Sequence, residues 1–112
     1  MKYLSNTFSP NMLKNDVSDL KIIKIDKEAF CSNINDAVNS IGHEGTVKLV
    51  NTLCNTDLKM NRIPIKMDYG DDLYVVTLNF RVEEGKVYTY EELKGLYEQG
   101  KIVFYHVYVL NQ

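Results

Sequence analysis

Leu73-Tyr74-Val75-Val76-Thr77-Leu78-Asn79-Phe80 decides the fold. It is a near-continuous apolar run rich in β-branched and aromatic residues, the pattern of a strand covered on both faces and therefore central in its sheet. Downstream, Thr89-Tyr90-Glu91-Glu92 is a capping box, so a helix opens there and runs to about Glu98. Gly100 stops it, and residues 102–110 form a last long strand. His106 alternates with apolar residues in that strand and reads as structural. Upstream, Tyr69-Gly70-Asp71-Asp72 is a turn, and Arg62-Ile63-Pro64-Ile65-Lys66-Met67 alternates like a strand. Pro64 there suits an edge position. Residues 20–25 and 2–6 complete a set of about five strands.

Helical signals lie between the strands. Ser9 is a good N-cap followed by Pro10 at the first helical position. Asp26 caps a helix through Cys31, and a short helix spans 34–39. Val47, Val50, Leu53 and Cys54, with Leu49 beside them, have the spacing of one helix face. The reading is one α/β domain, 1–112, with a mixed sheet of about five strands flanked by helices.

The composition suits a globular domain, with 45% hydrophobic and 25% charged residues. No apolar run reaches membrane-spanning length and no signal-peptide core opens the chain. Cys31 and Cys54 form no metal motif or disulfide framework; they read as buried thiols, and a cytoplasmic location follows. A net charge of −2 argues against a DNA- or RNA-coating surface. Among the 13 basic residues, the arginines Arg62 and Arg81 are the two suited to bidentate phosphate contacts.

Ser40-Ile41-Gly42-His43-Glu44-Gly45-Thr46 feeds the helix beginning near Val47. A helix N-terminus presents unpaired N–H groups and the positive end of the dipole, a fit for phosphate. Gly42 and Gly45 would let a ligand approach the backbone. His43 sits among them as an imidazole, the group that titrates near neutrality. A plain helix cap is the competing reading of these residues.

Together, Leu4-Ser5-Asn6-Thr7-Phe8-Ser9-Pro10-Asn11-Met12-Leu13, Ser40-Ile41-Gly42-His43, Asn61-Arg62, Leu73-Tyr74-Val75-Val76 and Arg81-Val82-Glu83-Glu84-Gly85 resemble, in this order, the viral type III anti-CRISPR ring nucleases. The resemblance covers nearly the whole chain. It implies a homodimer that binds cyclic tetra-adenylate and cuts it to linear di-adenylate, with no metal and no cofactor. The family's catalytic residues match His43, Arg81 and Glu84. Its ligand contacts fall on Asn6, Ser9, Asn11, Gly45, Thr46, Arg62 and Thr77, with Thr77 departing from a longer amide side chain in relatives. Glu84 would either orient His43 or keep its proton on. The alternative function is a non-catalytic module that sequesters a nucleotide or binds a protein.

Overall fold

The computed structural model describes residues 1–111. Its central strand is the one the sequence singles out. In chain order the elements are β1 (Lys2–Ser5), a 3-10 turn (Pro10–Met12), β2 (Leu20–Ile25), α1 (Lys27–Asn33), β3 (Val38–Asn39), α2 (Glu44–Cys54), β4 (Asp72–Leu78), α3 (Tyr90–Glu98) and β5 (Ile102–Val109). The sheet order is β2-β5-β4-β1-β3. β1 pairs in parallel with both β3 and β4, whereas β4–β5 and β5–β2 are antiparallel.

Alternation along β4 divides the core. Tyr74 and Val76 face the helices with Leu4, Phe30, Val47, Val50, Leu93 and Phe104. Leu73 and Val75 face the other way with Val107, Val109, Ile65 and Met67. Both faces being covered, β4 reads as a continuous apolar run. α2 buries Val47, Leu49, Val50 and Leu53, each contributing about 1.5–3 kcal/mol when removed from water. Ser9 accepts from the Asn11 N–H, Asp26 from the Ala29 N–H, and Thr89 and Glu92 complete the capping box, so all three N-cap readings hold. Gly100, at φ 76, follows the α3 C-cap Gln99.

Three expectations are corrected. The alternating residues 62–67 are not a strand. The Met67 N–H donates to the Met12 carbonyl at 2.7 Å, and the Lys14 N–H to the Met67 carbonyl at 2.9 Å, leaving a single bridge from Leu13 to Met67. Pro64 has no N–H to offer a ladder. Residues 34–39 are not a helix either: α1 stops at Asn33, and Val38–Asn39 become β3 opposite Tyr3 and Leu4. The third correction concerns the cysteines, which are joined in a disulfide. α1 and α2 pack side by side on one face of the sheet, bringing the two Cα atoms to 5.0 Å. The bond removes the free-thiol basis for a cytoplasmic location. No helix among the described residues is long and apolar enough to cross a membrane.

The cross-link spans a sequence separation of 23. Replacing Cys31 and Cys54 together by serine is expected to lower the unfolding free energy by about 3 kcal/mol in urea titrations without reductant. Coincident unfolding curves for the two proteins would show that the closed loop adds no stability.

Candidate functional site

Parallel pairing of β1, β3 and β4 places their carboxyl ends at one edge of the sheet, where ligands of α/β folds bind. Asn6 follows β1, the turn with His43 follows β3, and the segment with Arg81 and Glu84 follows β4. On the helical side of this edge lies a groove of ≈ 1000 Å³ between the first turns of α2 and residues 82–88. His43, Glu44, Gly45 and Thr46 line one wall, and Glu83, Glu84, Lys86 and Tyr88 the other.

His43 is the backbone N-cap of α2, and its carbonyl accepts from the Val47 N–H at 3.1 Å. Its side chain makes no capping hydrogen bond and is exposed to the groove. The plain-cap reading therefore accounts for the backbone of His43 and not for its imidazole.

The turn holding His43 is braced from behind. The Ser40 N–H and hydroxyl both donate to the Leu4 carbonyl, at 2.8 and 2.7 Å. The Asn61 N–H donates to the Ile41 carbonyl at 2.9 Å and its amide side chain to the Asn39 carbonyl at 2.8 Å. Arg62 Nη2 donates to the Gly42 carbonyl at 2.8 Å. Asn61 and Arg62 thus give their polar groups to the turn rather than to a sheet.

The two glycines serve packing within the chain. A Cβ on Gly42 would stand 2.7 Å from Arg62 Nε, and one on Gly45 would stand 3.0 Å from Val82 Cγ1. The space expected for an approaching ligand is filled by Arg62 at one and by Val82 at the other. Gly45 is what lets the Arg81–Gly85 segment close on α2.

Four of the ten expected site residues, His43, Gly45, Thr46 and Glu84, line the groove. Arg81 is exposed between Phe80 and Val82, which line it, and Arg62 lies against the turn next to His43. Thr46 is 6% exposed, so its role there is mostly packing. Asn6 and Thr77 instead line a 320 Å³ pocket on the face away from the helices, with Phe8, Ile22, Val75, Tyr105 and Val107. Thr77 donates its hydroxyl to the Val103 carbonyl at 2.9 Å. Ser9 is occupied as a cap, and the exposed Asn11 accepts at its carbonyl from Lys66 at 2.6 Å. Neither lines the groove.

Lys48 and Lys86 set two cations against Glu44, Glu83 and Glu84 in the groove lining. Lys86 lies 3.3 Å from Glu92, whose carboxylate raises the ammonium above its ordinary value. Glu92 is itself held low, first by the Thr89 backbone N–H and then by Lys86. Tyr88, Lys48 and Lys86 are groove residues that the sequence reading does not single out. The pairing of Phe80 with Tyr88 around a glycine turn is the signal that points to them.

The family model described as STIV B116-like matches residues 2–104. The chain belongs to the STIV B116-like family. This B116-like chain is 39% identical over 109 residues to the uncharacterized protein ORF116 of Acidianus filamentous virus 1, covering 96% of this chain and 94% of that protein. It is 43% identical over 60 residues to the uncharacterized protein 26 of a Sulfolobus islandicus filamentous virus, covering 53% of this chain and 51% of that protein. Among solved structures, B116 of Sulfolobus turreted icosahedral virus superposes with a TM-score of 0.92 at 43% identity, over 96% of this chain and 97% of that one. The family is thus one of viral proteins, and the B116-like fold is that of an experimentally solved relative.

Contact between Gly45 and Val82 predicts energetic coupling. Gly45→Ala and Val82→Ala are expected to be non-additive by about 0.5 kcal/mol or more in a double-mutant cycle read by denaturation. Strict additivity would show that Val82 does not rest on Gly45.

Proposed function

We propose that the protein is a metal-independent ring nuclease that binds cyclic tetra-adenylate across a homodimer, cuts it to linear di-adenylate and so antagonises type III CRISPR signalling. The observation that carries this reading is the free imidazole of His43 at the N-terminus of α2, in a groove closed on its far side by the Glu84 segment. RNA brings its own nucleophile, the 2′-hydroxyl. Attack of its oxygen on the adjacent phosphorus, its proton passing to water, forms a 2′,3′-cyclic phosphate as the bond to the 5′-oxygen breaks. The protein then has to hold the backbone in line, stabilise charge on the phosphorane and protonate the departing oxygen. In this reading His43 gives that proton, Arg81, on the same loop as Glu84, meets the charge, and Glu84 acts on His43.

The homodimer reading has support in β2. Its outer edge is unpaired among the described residues, and Ile22 and Ile23 are 56% and 38% exposed on its two faces. An edge strand with unpaired backbone groups and two exposed isoleucines can add a second chain, although Lys21 and Lys24 beside them blunt it. A two-fold dimer presents each site twice, matching a ring with two-fold symmetry. Two copies of His43 then give two cuts and two equal halves.

One observation favours the alternative of a non-catalytic sequestering or protein-interaction module. The groove lining holds three glutamates against two lysines, a weak field for four phosphates. His43→Ala separates the readings. In excess EDTA, wild type is expected to convert the ring to linear di-adenylate, and the variant to bind it while turning over about 10²–10⁴ times more slowly. A wild type that binds the ring and leaves it intact would establish sequestration instead.

A further inference from the structure

The segment bearing Arg81 and Glu84 is tied to the fold chiefly through Tyr88. Tyr88 is half-buried, with its ring edge-on to Phe80 at 6.1 Å between centroids and 69° between planes. Both rings pack against the helix-side core, so they fix the two ends of the segment to the sheet. From that base the Tyr88 hydroxyl oxygen accepts from the Glu83 N–H at 3.2 Å. The Glu83 carbonyl accepts from the Lys86 N–H at 3.2 Å, closing a turn with Glu84 second and Gly85 third. Gly85 has φ 78, a left-handed conformation that favours glycine at that turn position. Both backbone groups of Glu83 are therefore occupied, and Glu84 is presented from a closed turn. Lys86 adds a second tie: its ammonium lies 4.6 Å from the Tyr88 ring centroid and 3.3 Å from Glu92 of the α3 capping box.

We infer that Tyr88 is a positioning residue, whose hydroxyl latches the turn at Glu83 and thereby sets Glu84 in the groove wall opposite His43. The consequence for chemistry rests on the ring-nuclease reading of the groove; the latch itself does not. Tyr88→Phe removes the acceptor and keeps the ring on Phe80. Two readouts then separate the claims. Amide exchange at Glu83 is expected to quicken by about fivefold, the worth of one net hydrogen bond, with the thermal midpoint lowered by no more than a few degrees. In turnover of cyclic tetra-adenylate, kcat is expected to fall by a similar factor at constant KM, because a misplaced loop weakens transition-state contacts. Unchanged exchange at Glu83 would overturn the latch whatever the kinetics. A raised KM with kcat intact would overturn the positioning role in favour of direct ligand contact. Absence of turnover in the wild type would refute the functional reading, and Glu83 exchange would still decide the latch.

Discussion

Everything at the candidate site depends on the parallel hydrogen bonding of β1 to both of its neighbours. Lys2–Ser5 pair with Asp72, Leu73, Tyr74 and Val75 on one side, and Tyr3 and Leu4 with Val38 and Asn39 on the other. Three strands running the same way must end at the same edge. Segments far apart in sequence, following residues 39 and 78, are thereby delivered to two walls of one groove. β3 has only two residues, too few to hold its place by ladder bonds alone. Ser40 supplies what the short ladder lacks, with two donors on the Leu4 carbonyl, and Asn61 and Arg62 fasten the turn beyond it. The helix N-terminus is then aimed by a strand and a brace together.

Close packing on glycine completes the arrangement. Arg62 lies where a side chain on Gly42 would go, and Val82 lies where one on Gly45 would go. These glycines let the brace and the opposite wall approach the turn, leaving the His43 side chain as what the turn offers to the groove. The disulfide between Cys31 and Cys54 ties the far end of α2 to α1, so the helix bearing His43 is restrained at both ends.

The features legible in the sequence were those with local causes. Residues 73–80 announce a central strand because apolar side chains must cover both faces, and the strand occupies Asp72–Leu78. The capping box at Thr89 and Glu92 and the caps at Ser9 and Asp26 are short-range hydrogen bonds, and the structure contains each. What escaped was set by tertiary contacts. Alternation in residues 62–67 suits a strand, but their polar groups are claimed by the turn at Gly42 and by Met12 and Lys14. Val38–Asn39 look helical until β1 is present to pair with them. Cys31 and Cys54 meet only once two helices pack together. At the site, the turn with His43 was readable from its glycines ahead of a helix, whereas Glu84 was implied by the family resemblance alone. The separation of Asn6 and Thr77 onto the opposite face required the strand pleat, and Tyr88 required the folded loop.

The chemistry proposed for this viral family member is economical in what it asks of the chain. The nucleophile belongs to the substrate, and the protein supplies an imidazole, a cation and a closed turn. The most direct test of that division is the origin of the product's oxygen atoms. Cyclic tetra-adenylate would be incubated with the protein and EDTA in water enriched in oxygen-18, and early products resolved by mass. Attack by the 2′-oxygen gives linear di-adenylate ending in a 2′,3′-cyclic phosphate with no oxygen-18. A first product carrying oxygen-18 in a phosphate monoester, or a ring that stays intact, would contradict it.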